Sequence, residues 1–195
     1  MRIGPPAAAL LAAAGWFLAP PSRAQEDAAT RSLAQPCFAC HGENGNSTNP
    51  RYPVLAGQGW RYLYIELKDF KEKRRSDPEM SPMAAPLTRE QQMALANFFA
   101  AQKPKPLDYK PDAARVDKGR KVSDATLCPM CHLGEFKGQN EIPRVAGQWP
   151  QYVSKQLHAF KEKTRTNDAG NMTSIAATLS DDDIENLAQY VTSLY

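Results

Sequence analysis

Two five-residue segments constrain this chain more than any other feature: "CFACH" at 37–41 and "CPMCH" at 128–132. They contain all four cysteines and two of the three histidines. Two thiols at this spacing can form thioethers with one porphyrin while the next histidine ligates its iron, which is the attachment signal of c-type haem. The sequence therefore predicts two covalently bound haem c groups. The predicted thioether and iron-binding residues are Cys37, Cys40, His41, Cys128, Cys131 and His132.

Other uses of paired cysteines fit the sequence less well. A thioredoxin-like redox pair needs a β-α-β context, and no alternating strand pattern surrounds either segment. A four-cysteine zinc site separates its two pairs by about 15–20 residues, whereas Cys40 and Cys128 lie 88 positions apart. The alternative left open is a structural disulfide pair, which an exported chain would permit.

An internal repeat relates the two halves of the chain. At an offset of 90, "YPVLAGQGWRYLYIELKDFKEKRR" from residue 52 meets "IPRVAGQWPQYVSKQLHAFKEKTR" from residue 142. Three prolines lie between the halves, at 104, 106 and 111, and they favour an extended connector. We therefore predict a first domain over 25–103, a linker over 104–114 and a second domain over 115–195.

The first 24 residues have the pattern of a cleavable export signal. Arg2 supplies the positive charge, "AAALLAAAGWFLA" the apolar run and "SRA" the cleavage site. The 13-residue run is shorter than the roughly 20 residues that span a bilayer. We therefore expect a periplasmic protein without a transmembrane segment in its mature chain.

The charge of the predicted mature chain excludes one class of partner. It has 22 Lys and Arg against 21 Asp and Glu, and no basic stripe dominates. Nucleic-acid binding is therefore not expected. The one basic cluster, "KEKRR" at 71–75, is interpreted as a solvated helix end.

Hydrophobic spacing predicts an all-α protein. Leu63, Leu67 and Phe70 recur at i, i+4 and i+7, as their counterparts at 153, 157 and 160 do in the second half. Thr88 and Ser180 each precede a helical pattern, with Gln91 and Asp183 three residues later as capping partners.

The repeat separates two methionines that look equivalent. "MSPMAAPLT" from residue 80 aligns with "MTSIAATLS" from residue 172, so that Met80 meets Met172 and Met83 meets Ile175. An iron ligand must keep its sulfur in both units, whereas a packing position can exchange Met for Ile. Met80 and Met172 are therefore the predicted distal ligands, and Met83 is expected to pack against the haem or a helix.

The third histidine is a weak candidate ligand, because the repeat places Lys68 opposite His158. Histidine and methionine ligation would fill both axial positions of each iron and raise its reduction potential. With no open position for a substrate, electron transfer is the expected function, and no catalytic residue is predicted.

Taken together, these motifs resemble the dihaem cytochrome c4 family. The resemblance extends from about residue 25 to residue 195, and its most specific parts are "LAGQ" with "RYL" and "RTND" with "AATLSDDDIENLAQYV". It implies two tandem class I cytochrome c domains, each around one haem, related by a pseudo-twofold axis. It also implies a periplasmic carrier, sometimes loosely associated with the membrane, that passes electrons between redox proteins toward a terminal oxidase.

The resemblance also implies roles for four residues near the haems. The backbone carbonyls of Pro53 and Pro143 would accept the remaining N–H of each proximal histidine. Tyr62 and Tyr152 would donate to a haem propionate, although simple packing remains an alternative. One departure concerns the first helix of each half, where Ala28 stands in place of Gly119, so looser packing is expected in the first half.

Two other functions compete with a free electron carrier. The chain could be a tightly bound dihaem subunit of an exported dehydrogenase that oxidises sulfide or an alcohol with a flavin. It could also be a haem enzyme, such as a peroxidase or a thiosulfate-oxidising protein, but that requires an axial position that Met80 and Met172 would occupy.

Overall fold

The computed structural model describes Met1 and residues 23–195. The predicted signal peptide, residues 1–24, lies almost wholly outside the described residues. None of the helices within 23–195 combines the length and the apolar character that crossing a membrane requires.

Nine α-helices follow one another in residues 23–195, and this part of the chain contains no β-strand. The all-α prediction is confirmed. The helices are α1 Arg23–His41, α2 Trp60–Lys71, α3 Met80–Ala84, α4 Arg89–Ala100, α5 Ala113–Ala125, α6 Cys128–Cys131, α7 Pro150–Lys161, α8 Asn171–Ala176 and α9 Asp181–Ser193.

In the first half, α1 and α2 both pack on α4, and α3 packs on α2. The predicted apolar face of α2 is buried at its two ends, where Leu63 is 7% and Phe70 6% exposed. Removing such side chains from water is the main stabilising term for a small domain. The buried core of this half consists of Ala34, Leu63, Leu95, Ala96 and Phe99.

The second half repeats this plan with α5 and α7 on α9, and α8 on α7. The closest approach is at Gly119 of α5, where a Cβ atom would lie 2.1 Å from the carbonyl oxygen of Asn186. In the first half, Ala28 is exposed instead. The expectation of a closer contact in the second half is therefore confirmed.

Both predicted helix caps are present. Thr88 and Gln91 form a capping box at the start of α4, and Ser180 and Asp183 form one at the start of α9. Each box satisfies two backbone N–H groups that the first turn of a helix leaves unpaired.

The two halves meet through loops and a small apolar cluster. Val54 and Ala56 of the first half pack with Trp149 of the second, and Trp149 is only 5% exposed. Its indole N–H donates to the carbonyl of Ser47 at 3.0 Å. The segment between α4 and α5 is non-helical, and Asn46 donates to the carbonyl of Lys103 at 3.2 Å. The proposed domain boundaries themselves stay a prediction.

Candidate haem sites

The first candidate site is built around His41, the last residue of α1. His41 is 5% exposed, and its Nδ1–H donates to the carbonyl of Pro53 at 2.9 Å. Since a carbonyl can only accept, this bond fixes the tautomer and leaves the Nε2 lone pair free to ligate a metal. Burial lowers the pKa of His41, with the Pro53 bond acting in the opposite direction, so the neutral ligating form is favoured.

The second candidate site has the same geometry at His132, directly after α6. His132 is 8% exposed and donates from Nδ1 to the carbonyl of Pro143, again at 2.9 Å. Burial lowers its pKa as well. Each half therefore presents one buried, neutral imidazole with a defined free nitrogen.

The cysteines lie beside these histidines in the sequence, and all four are free thiols. Cys37 and Cys128 are half-buried and pack against the two apolar cores, whereas Cys40 and Cys131 are exposed. No disulfide joins them, so the disulfide alternative is not the arrangement that the fold adopts. In each half the two cysteines and the histidine lie within five consecutive residues, as attachment to one porphyrin requires.

The two candidate methionine ligands lie in the first turns of short helices that occupy corresponding positions in the repeat. Met80 is the first residue of α3, and its N–H donates to Asp77 at 3.0 Å. Met172 lies in the first turn of α8, where Asp168 accepts from the N–H of Thr173 at 2.6 Å. Both methionines are half-buried. Their assignment as iron ligands stays a prediction.

Met83 and Ile175 occupy the matched positions one turn later. Met83 is 47% exposed and Ile175 37% exposed. Both side chains are thus only partly covered by the protein. The packing of Met83 against the haem or a helix stays a prediction.

A buried charged cluster lies between the halves. Arg75 pairs with one carboxylate oxygen of Glu66, and Arg165 pairs with the other at 2.6 Å. Burial alone would raise the pKa of Glu66, but the two guanidinium groups lower it. The interpretation of "KEKRR" as a solvated helix end is wrong for Arg75, which is 9% exposed, because this carboxylate lies nearby.

The two predicted tyrosines belong to the same cluster. The hydroxyl of Tyr62 accepts from Arg165 at 3.2 Å, and that of Tyr152 accepts from Arg75 at 3.3 Å. Burial, together with Glu66, raises the pKa of Tyr62 to about 12, so its hydroxyl keeps its proton at neutral pH. Tyr62 therefore retains one O–H donor for a further acceptor.

The charges of this cluster fit the carboxylates of a haem. Glu66 neutralises only one of the two buried guanidinium groups, because Asp69 pairs with Arg74 at 2.6 Å. Glu66 therefore leaves the cluster with a net positive charge, which is costly when it is buried. Haem propionates are anionic acceptors that match both the remaining charge and the tyrosine hydroxyls. Together with the thiols and imidazoles, these groups fit the chemistry of haem c.

Sequence reasoning did not identify Glu66, Arg75 and Arg165 as site residues. A signal for the arginines was present, because both occupy the same repeat position in a non-helical turn. The repeat contains the "AGQ" glutamines, Gln58 and Gln148, but their sequence position alone predicts no function for them. They prove to be buried at 6% and 7% exposure.

Comparison with known proteins defines the class and then the family. The cytochrome c family matches this chain twice, over residues 27–103 and 116–195. Cytochrome c4 of Azotobacter vinelandii is 37% identical over 190 residues, covering 88% of this chain and 90% of that protein. The crystal structure of reduced cytochrome c4 from Pseudomonas stutzeri superposes with a TM-score of 0.81 at 34% identity, covering 87% of this chain and 98% of that one.

A third relative has a different name. The thiosulfate dehydrogenase electron acceptor of Thiomonas intermedia is 32% identical over 194 residues, covering 93% of this chain and 84% of that protein.

The described folds and motifs thus define a protein with two cytochrome c domains. This chain belongs to the dihaem cytochrome c4 family, binds two haem c groups and transfers electrons between redox proteins rather than catalysing a reaction.

Proposed function

We propose that this chain is a freely diffusing periplasmic carrier that takes electrons from one redox protein and delivers them toward a terminal oxidase. The observation that carries the proposal is the duplicated donor set. Each half has a buried histidine bonded to a proline carbonyl at 2.9 Å and a half-buried methionine at the start of a short helix. A carrier needs two filled axial positions and no substrate site, which this donor set supplies.

The residues that would ligate the two irons are His41 with Met80 and His132 with Met172. When bound, each haem iron would supply one-electron chemistry. The histidines are held neutral and oriented by Pro53 and Pro143. The proposed haem-carboxylate ligands are the hydroxyls of Tyr62 and Tyr152 with the guanidinium groups that contact them.

The ligand assignment is tested with matched methionine variants of the haem-loaded protein. Met80→Ala should abolish the sulfur-to-iron charge-transfer band of one haem, whereas Met83→Ala should leave both bands intact. In the second half, Met172→Ala and Ile175→Ala form the equivalent pair. Loss of the band in Met83→Ala with retention in Met80→Ala would refute the assignment.

The main alternative is a tightly bound subunit of an exported dehydrogenase. One relative is named an electron acceptor of thiosulfate dehydrogenase, which favours a dehydrogenase as the donor. Purification of the untagged protein from native periplasm distinguishes the two. A carrier elutes near its own mass, whereas a subunit elutes with a stoichiometric catalytic chain.

Delivery of electrons is tested separately. The reduced carrier should be oxidised by membranes that contain a terminal oxidase, and cyanide at the oxidase should stop that oxidation. Rapid cyanide binding to the isolated protein would instead indicate an open axial position and contradict the carrier proposal.

A further inference from the structure

The "AGQ" glutamines exchange hydrogen bonds across the two halves in a reciprocal pattern. Gln148 accepts from the N–H of Val54 at 2.8 Å and donates to the carbonyl of Val54 at 3.0 Å. Gln58 does the same with Arg144, at 2.7 and 2.8 Å. Each side-chain amide thus pairs with one residue of the opposite half.

Each glutamine is also fixed by its own loop. The side-chain oxygen of Gln148 accepts from the N–H of Trp149 at 3.1 Å, and that of Gln58 accepts from the N–H of Gly59 at 2.9 Å. In both residues the oxygen receives two N–H groups while the nitrogen faces a carbonyl. This pattern determines the orientation of the amide, because a flipped amide would leave these groups unpaired.

The peptide groups that these glutamines contact are those that hold the proximal histidines. The peptide unit between Pro53 and Val54 donates its N–H to Gln148 and accepts the Nδ1–H of His41 on its carbonyl oxygen. A peptide unit is one planar, conjugated group. A bond at its N–H therefore increases the negative charge on its carbonyl oxygen and strengthens the bond that the oxygen accepts.

An equivalent series of hydrogen bonds connects Gln58 of the first half to His132 of the second half. The N–H of Arg144 donates to Gln58, and the carbonyl of Pro143 in that peptide unit accepts from His132. In each series a glutamine of one half is hydrogen-bonded to a peptide unit of the other half, and that peptide unit is hydrogen-bonded to a proximal histidine. The two series cross the interface in opposite directions.

We propose that Gln148 and Gln58 are positioning residues that tune the haem of the opposite half through these two peptide units. This inference rests on the proposed ligation by His41 and His132. A stronger hydrogen bond at Nδ1 makes the imidazole a more basic ligand, which favours ferric iron. Each glutamine thus lowers the reduction potential of the haem attached to the other half.

The test uses Gln148→Met and Gln58→Met in the haem-loaded protein, since methionine keeps the length of the side chain but not its amide. Gln148→Met should raise the potential of the haem at Cys37 and Cys40, and Gln58→Met that of the haem at Cys128 and Cys131. We expect about a threefold change in the equilibrium constant for reduction, or about 28 mV at 59 mV per tenfold change. Spectroelectrochemistry gives the potentials, and NMR of the reduced protein assigns them.

Gln102→Met is the matched control, because its amide donates only to the carbonyl of Phe98 in the same half, at 2.8 Å. It should move neither potential. Amide hydrogen exchange gives a second readout: Gln148→Met should speed exchange at Val54, and Gln58→Met should speed exchange at Arg144.

Three outcomes would overturn the inference: a shift confined to the haem of the substituted half, equal shifts of both haems, or no shift. Failure of the proposed function is recognised separately in the wild-type protein, which would then lack the NMR signals of low-spin iron with histidine and methionine ligands.

Discussion

The haem-attachment segments of the two halves match in sequence but differ in backbone. In the first half, residues 37–41 complete one continuous helix, Arg23–His41. In the second half, the helix stops at Ala125 and a separate turn, Cys128–Cys131, follows. Leu127 lies at this break with a φ of 58°, in the left-handed region.

One residue accounts for much of this difference. Pro36 occupies the position that corresponds to Leu127. A proline ring holds φ near −65°, so residue 36 cannot adopt the left-handed conformation that ends the helix in the second half. A repeat can therefore conserve its haem-attachment residues while one side chain changes how the preceding helix reaches them.

The interface shows a second difference between the halves. Trp149 fills the contact on one side, whereas its repeat counterpart is Gly59, which lies close to the carbonyl of Asn140. Glu66 of the buried cluster has the neutral Gln156 as its counterpart. Positions related by the repeat thus carry different side chains at the interface. Substitutions can test what each difference contributes.

The largest effect is expected for Trp149→Ala. Loss of this buried indole should lower the free energy of unfolding by about 4 kcal/mol, as for other buried aromatic residues. Trp60→Ala is the control, because Trp60 is 42% exposed and should change stability little. Guanidinium chloride unfolding followed by circular dichroism measures both. Equal losses would show that the interface does not depend on Trp149.

Glu66→Gln makes the two sides of the charged cluster alike and should be the next most damaging change. It leaves Arg75 and Arg165 without their shared carboxylate, at a cost of about 3 kcal/mol at pH 7. The pKa of Glu66 lies below its ordinary value of 4.5, so its contribution is present above that pH and is lost as pH falls through the lowered pKa.

Urea unfolding of wild type and Glu66→Gln at pH 7 and pH 3 checks this expectation. The difference between the two proteins should shrink at the lower pH. A difference that grows on acidification would contradict the assigned direction of the pKa shift.

Gly119→Ala tests whether α5 packs more closely in its half than α1 does in the other. Because the added Cβ would lie 2.1 Å from the carbonyl oxygen of Asn186, α5 must move away from α9. We expect a loss of about 2 kcal/mol in the free energy of unfolding, typical of overpacking. Ala28→Gly, at the exposed counterpart, should cost less than about 1 kcal/mol, from helix propensity alone. Thermal unfolding compares them, and equal costs would argue against the close contact.

The smallest effects are expected at the helix caps, where the halves are alike. Thr88→Ala and Ser180→Ala should each destabilise the protein by about 1 kcal/mol. Near-equal shifts in the denaturation midpoint are the expected result. A much larger loss at one cap would show that the corresponding helix contributes more to its domain than the repeat suggests.

The sequence allowed prediction of the features that depend on local patterns. The haem-attachment segments, the helical character and the caps at Thr88 and Ser180 all follow from spacings of a few residues, and the structure confirms the helices and caps. The repeat extended this to Met80 and Met172, whose ligand role stays a prediction. Gly119 was also recognised, because a glycine in a helix pattern indicates close packing.

Features that depend on contacts between the halves could not be predicted in this way. Arg165 meets Glu66 across 99 positions, and no local pattern shows that these charges would be buried together. The burial of Arg75 was not predicted because it also donates to Tyr152 and Gln156 of the other half. The break at Leu127 was missed because a leucine rarely adopts a positive φ and carries no turn signal.

The reciprocal glutamine bonds have a consequence for how freely the sequence can vary. At each end the glutamine recognises the main chain of its partner residue, which is valine at 54 and arginine at 144. Two side chains of opposite character thus satisfy the same bonds. The partner positions can therefore differ in side chain, whereas the amide group in each half is one of the contacts that join the two domains.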